Sequence, residues 1–77
     1  MKYVAIPVHD NDLKRFYSQN IFPGSTITLE ELIQKFQKRF NYGLSVRDEK
    51  FPAAFENGDD FAVHAFDDSG LVQTSEI

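Results

Sequence analysis

Apolar residues recur at helical spacing in one stretch of this 77-residue chain and alternate with polar ones in several others. Leu29, Leu32, Ile33, Phe36 and Phe40 repeat every three or four positions and make one apolar face. Thr28 followed by Glu31 has the form of a capping box, in which each side chain satisfies a free backbone N–H of the other. Glu30 and Glu31 in the first turn, with Lys38 and Arg39 in the last, suit the helix dipole at both ends. The pattern predicts an amphipathic helix over about 28–41, with Gly43 as a left-handed stop.

Alternation marks the strands. Lys2 to Val8 places Val4, Ile6 and Val8 on one face and Tyr3 and Ala5 on the other, with Pro7 at an edge or near the end. His9 to Asp12 is a polar turn. Leu44 to Arg47 forms a short strand, and Phe51 to Phe55, interrupted by Pro52, reads as a packed loop. After a turn at Asn57 to Asp60, Phe61 to Phe66 alternates again, Phe61, Val63 and Ala65 on one face and Ala62, His64 and Phe66 on the other. His64 is expected on the side away from the apolar residues. Asp67 to Gly70 fits a four-residue hairpin loop, returning through Leu71 to Thr74.

Residues 13–22 fit two readings. Leu13, Phe16 and Tyr17 suit a short helix capped by Asp10 or Asn11, or a strand leading into Ile21 and Phe22. The turn Phe22-Pro23-Gly24-Ser25 tips the reading towards strand. The whole is then a single α+β domain, 1–77, with the helix on a small mixed or antiparallel sheet of three to five strands. A strand, a Pro-Gly-Ser-Thr turn and an amphipathic helix over about 13–43 are similar to the first half of β-grasp (ubiquitin-like) folds. That resemblance implies a fold and no chemistry, because Thr74-Ser75-Glu76-Ile77 lacks the Gly-Gly of conjugating members.

Composition narrows the possible functions. With 42% hydrophobic and 14% aromatic residues the chain is expected to fold, and without cysteine it has neither disulfides nor thiolate metal sites. No apolar run approaches the ~20 residues of a membrane span, and the start lacks a signal-peptide core, so a cytoplasmic protein is expected. The net charge of −4 conceals a division. Residues 1–47 carry seven Lys/Arg and four Asp/Glu, a balance of +3, whereas residues 48–77 carry Lys50 and eight acids, a balance of −7.

Four chemistries compete with plain structural roles for these residues. His9, Asp10 and Asp12, or Asp59, Asp60, Asp67 and Asp68, offer oxygen and imidazole donors, but none has calcium-loop or zinc spacing, so no metal or cofactor is expected. His64 is the candidate general base, yet Ser18, Ser25, Ser45, Ser69 and Ser75 stand in no nucleophile elbow. With no phosphate-cradling glycine loop, and little room for a substrate pocket, the chain is read as a non-enzyme. Lys35, Lys38 and Arg39, to which Lys14 and Arg15 could lie near, form a basic helix face that would serve a nucleic-acid-binding regulator. Glu31 is expected to pair with Lys35, and the acidic half to repel a duplex. The favoured reading is a small regulatory protein that binds another protein with a basic surface. Its partner-binding residues are Asp48, Glu49, Glu56, Asp59, Asp60, Asp67 and Asp68. Such acids could imitate a row of phosphates and occupy a basic groove of a nucleic-acid-handling protein, as small inhibitors of phage and mobile-element type do. A homo-oligomer anchored on Phe51, Phe55 or Phe66 is the further alternative.

Overall fold

The core is set by three strands whose inward residues share one side of a four-stranded antiparallel sheet. The computed structural model describes residues 1–57 and 60–72, with 56 and 57 as backbone alone. Along the chain run β1 (Lys2–Pro7), α1 (Asn11–Asn20), α2 (Leu29–Phe40), β2 (Ser45–Arg47), α3 (Ala53–Asn57), β3 (Phe61–Asp67) and β4 (Gly70–Leu71). The spatial order is β2-β1-β3-β4. Val4 pairs with Val46 on one side and His64 on the other, and Lys2 pairs with Phe66, which fixes the register. Val4, Ile6 and Phe66 are sealed by Leu13 and Phe16 of α1 and Leu32 and Phe36 of α2, with Ile21 and Ile27 between the helices. The fold class is α+β, as the pattern predicts.

The helix α2 is built as its sequence indicates. Thr28 Oγ1 accepts the Glu31 N–H at 3.2 Å, and Glu31 Oε1 accepts the Thr28 N–H at 3.2 Å, closing the capping box. Its end differs from expectation. Asn41, not Gly43, takes the left-handed conformation at φ 65°, and its N–H reaches the Gln37 carbonyl. Asn tolerates this region because its short amide does not crowd the backbone.

Residues 13–22 are not a strand. Asp10 caps α1 by accepting the Leu13 N–H at 2.8 Å, and Leu13, Phe16, Tyr17 and Asn20 then fall on one face. The buried Asn20 amide donates to the Phe16 carbonyl at 2.9 Å, so a polar group closes the inner face at no loss of a hydrogen bond. The helix stops at Ile21, whose backbone is extended, and Pro23 keeps Phe22 from continuing it. The β-grasp resemblance falls with this correction, since a helix stands where that pattern needs a strand and every pairing here is antiparallel.

The opposite face of the sheet has its own cover. Phe51 is buried beneath the Arg47 guanidinium, which lies 5.4 Å from the ring centre, and Phe51, Phe55 and Phe61 stack in sequence at 5.2 and 5.3 Å. Within Phe51 to Phe55, expected as a packed loop, Ala53 opens the short helix α3, which runs to Asn57 and lies against β3. Phe51 and Phe66 are therefore core residues and Phe55 is half-buried, so none of the three is a free anchor for self-association.

The last hairpin reverses where expected, by a tighter route. Asp67 pairs with Gly70, leaving Asp68 and Ser69 as the loop, and Asp67 Oδ1 accepts the Ser69 N–H at 2.8 Å. Gly70 sits at φ +116°, and a Cβ there would meet the Ile27 carbonyl oxygen at 2.8 Å. The same carbonyl accepts the Leu71 N–H at 2.9 Å, so residues 25–27 run along the outer edge of β4 and cover it. Of the predicted return strand, residues 73 and 74 lie outside the described residues.

Candidate functional site

The acids named from the sequence whose side chains are described divide between the two ends of the sheet. At one end of the sheet Lys2 binds Asp48 and Arg47 approaches Glu49 at 3.6 Å, so cations from the first half of the chain offset acids of the second. The Lys2 hydrogen bond, and then its charge, holds the exposed Asp48 carboxyl below the usual carboxylate range. Asp60 lies at the other end, where its carbonyl accepts the Val8 N–H at 2.8 Å. Asp59 and the side chain of Glu56 lie outside the described residues.

Asp67 and Asp68 lie at the Lys2 end, where Lys2 pairs with Phe66. With Glu30 of α2 they border an open hollow of about 590 Å³ between the start of α2 and the ends of β1 and β3. Its floor is apolar: Met1, Leu29, Ile33 and the edge of Phe66. Lys2 also lines it, with its charge directed to Asp48. Among the described residues Glu30, Asp67 and Asp68 take part in no ion pair. The hollow is larger than the sequence led us to expect of 77 residues, and it lies within the ~300–1,000 Å³ of ligand sites.

Two further residues with perturbed ionisation, Tyr17 and His64, lie elsewhere. His64 was expected to face away from the apolar residues, but the core side of β3 is the one bearing Ala62, His64 and Phe66. There the Tyr17 hydroxyl and His64 Nε2 lie 2.6 Å apart. Burial pushes the His64 pKa below the ordinary histidine value and that of Tyr17 above the ordinary tyrosine value, so both are neutral near pH 7. Neither lines the 590 Å³ hollow. Among the described residues no three His, Cys, Asp or Glu side chains gather as metal ligands, and no helix is long and apolar enough to cross a membrane. Asp10, a metal candidate from the sequence, is occupied as the α1 cap.

The basic residues are regrouped as well. Lys35 and Arg39 share a groove of about 290 Å³ with Arg15, while Lys38 and Lys14 stay outside it. Glu31, the expected partner of Lys35, spends its carboxylate on Thr28. The sequence carried this signal, because the capping box draws the Glu31 side chain back towards Thr28 and away from the next turn.

No family model matches the chain, and no curated protein or solved structure is similar to it.

Proposed function

We propose that this chain is a non-enzymatic binding protein that holds a basic, amphipathic segment of another protein at the hairpin end of its sheet. An apolar side chain of the partner sits on Leu29, Ile33 and Met1, and flanking lysines or arginines meet Glu30, Asp67 and Asp68. The observation that carries this reading is the coincidence of an apolar floor with three acids that have no cationic partner among the described residues. Apolar area supplies the affinity at about 25 cal/mol per Å² removed from water, and the charged border sets encounter rate and selectivity. The same border disfavours acidic partners.

A titration of the protein with a short fluorescent peptide of alternating lysine and leucine tests this. Saturable binding should weaken as salt rises and should fail for the glutamate–leucine counterpart. Neutralising the border with Glu30→Gln, Asp67→Asn and Asp68→Asn should slow association, and Ile33→Asp should raise the dissociation rate. Equal binding of both peptides, or no effect of either set of changes, would refute the site.

A further inference from the structure

We propose that the seam between α1 and α2 is a second, separate site, which binds a short stretch of single-stranded nucleic acid. Arg15 from α1 and Lys35 and Arg39 from α2 converge on one groove, and among the described residues none of the three forms an ion pair. Asp12 borders the groove, and Glu31, whose Oε1 accepts from the Thr28 N–H and hydroxyl, borders the hollow that adjoins it. Arg39 is further held with its guanidinium 4.9 Å from the centre of the Phe40 ring, so its charge is positioned, not free-swinging.

The groove does not end there. Past Gln19, Asn20 and Lys35 it opens into an adjoining hollow of about 240 Å³ bordered by Phe22, a residue 47% exposed. Phe22 is displayed on a fixed support. Its carbonyl accepts the Ser25 N–H at 2.9 Å across a turn in which Gly24 takes φ +88°, and the Ser25 hydroxyl donates to the Asn20 carbonyl at 2.7 Å. Cations beside an exposed aromatic side chain are the two parts of single-strand recognition, with phosphates on the charges and a base stacked on the ring. An acidic peptide would use the cations and leave Phe22 without a role. The acids expected to repel nucleic acid do not oppose this site directly, because Asp67 and Asp68 line the other hollow, which shares no residue with the seam.

The experiment is an anisotropy titration of the full chain with labelled oligothymidylate of about ten nucleotides, within the ~4–16 of comparable sites. Three phosphate contacts on a single strand predict a log–log salt slope near −2. Arg15→Gln, Lys35→Gln and Arg39→Gln should each flatten that slope by about 0.7, and the triple variant should lose binding. Phe22→Ala should weaken binding by about 5- to 150-fold while leaving the slope unchanged. Lys38→Gln and the Asp67/Asp68→Asn pair should leave the slope as it is. No binding at low salt, retention of binding by the triple variant, or equal competition by polyglutamate would overturn the proposal. The three cations and Phe22 are exposed, so each single variant keeps the core intact and the outcome reports on binding.

Discussion

Tyr17 and His64, 47 residues apart in sequence, meet through a 2.6 Å hydrogen bond that fastens α1 to β3. Their rings lie 5.5 Å apart at a tilt of 41°, half-buried on the core side of the sheet. Burial favours the neutral form of both, lowering the His64 pKa and raising that of Tyr17.

This pair makes stability depend on pH at both ends. His64 has a folded pKa below its unfolded value of ~6.5, so its contribution is complete above that pH and is lost as pH falls through the folded pKa. Tyr17 has the opposite sign: its folded pKa lies above ~10, so its contribution is complete below pH 10 and is lost as pH rises through the folded value. Urea denaturation of the parent and of His64→Gln at several pH values below 7 should show a shallower acid slope for the variant. Equal slopes would mean that His64 titrates as an ordinary exposed histidine.

Tyr17→Phe removes the hydroxyl but keeps the ring. It should destabilise the protein by about 0.5–1.5 kcal/mol near neutral pH, the usual worth of one such bond. Thermal or urea denaturation measures it, and an unchanged midpoint would show that water replaces the hydroxyl without loss.

Phe36 is wholly buried, with the rings of Phe16, Phe40 and Tyr42 at 5.4, 4.8 and 5.2 Å. Phe36→Ala should cost about 3–5 kcal/mol, a large share of the ~5–15 kcal/mol of a typical domain. Thr28→Ala should cost about 0.5–2 kcal/mol through loss of the cap. If Thr28→Ala proved the more damaging of the two, the packing described for α2 would be wrong.

Gly70→Ala combines a left-handed backbone with a Cβ driven to 2.8 Å from the Ile27 carbonyl oxygen. The backbone strain alone is of order 1–3 kcal/mol, and the displaced carbonyl also loses the Leu71 N–H. Gly43→Ala is the contrast, since a Cβ there meets nothing within 4 Å and the residue has no positive φ. Comparable midpoints for the two variants in denaturation would contradict this account of the hairpin.

The sequence made α2 legible because cap, stripe and terminal charges all agree there, and made β1 and β3 legible because their alternation is long enough to count. It misled at α1. Leu13, Phe16 and Tyr17 fit both periods, and the turn at Phe22 to Ser25 can follow a helix as readily as a strand; the deciding contact is Asp10 to the Leu13 N–H. It misled again at His64, because Ala62 and Phe66 share its face and apolar residues occupy both faces of β3, so alternation alone could not say which side meets the helices. Charge was the least legible property. Lys2 and Arg47 come back to Asp48 and Glu49, which dissolves the division between the halves of the chain and leaves two smaller centres, one acidic and one basic, that only the packing of α2 creates.

The most direct test of the hairpin-end site is a residue-by-residue one, an amide chemical-shift titration of the labelled protein with the lysine–leucine peptide. The account predicts saturable shifts at Leu29 to Gln34, at Lys2, and at Phe66 to Ser69, with the amides of Arg15, Lys35 and Arg39 nearly still. Shifts centred on the α1/α2 seam, or none outside the chain termini at saturating peptide, would contradict it.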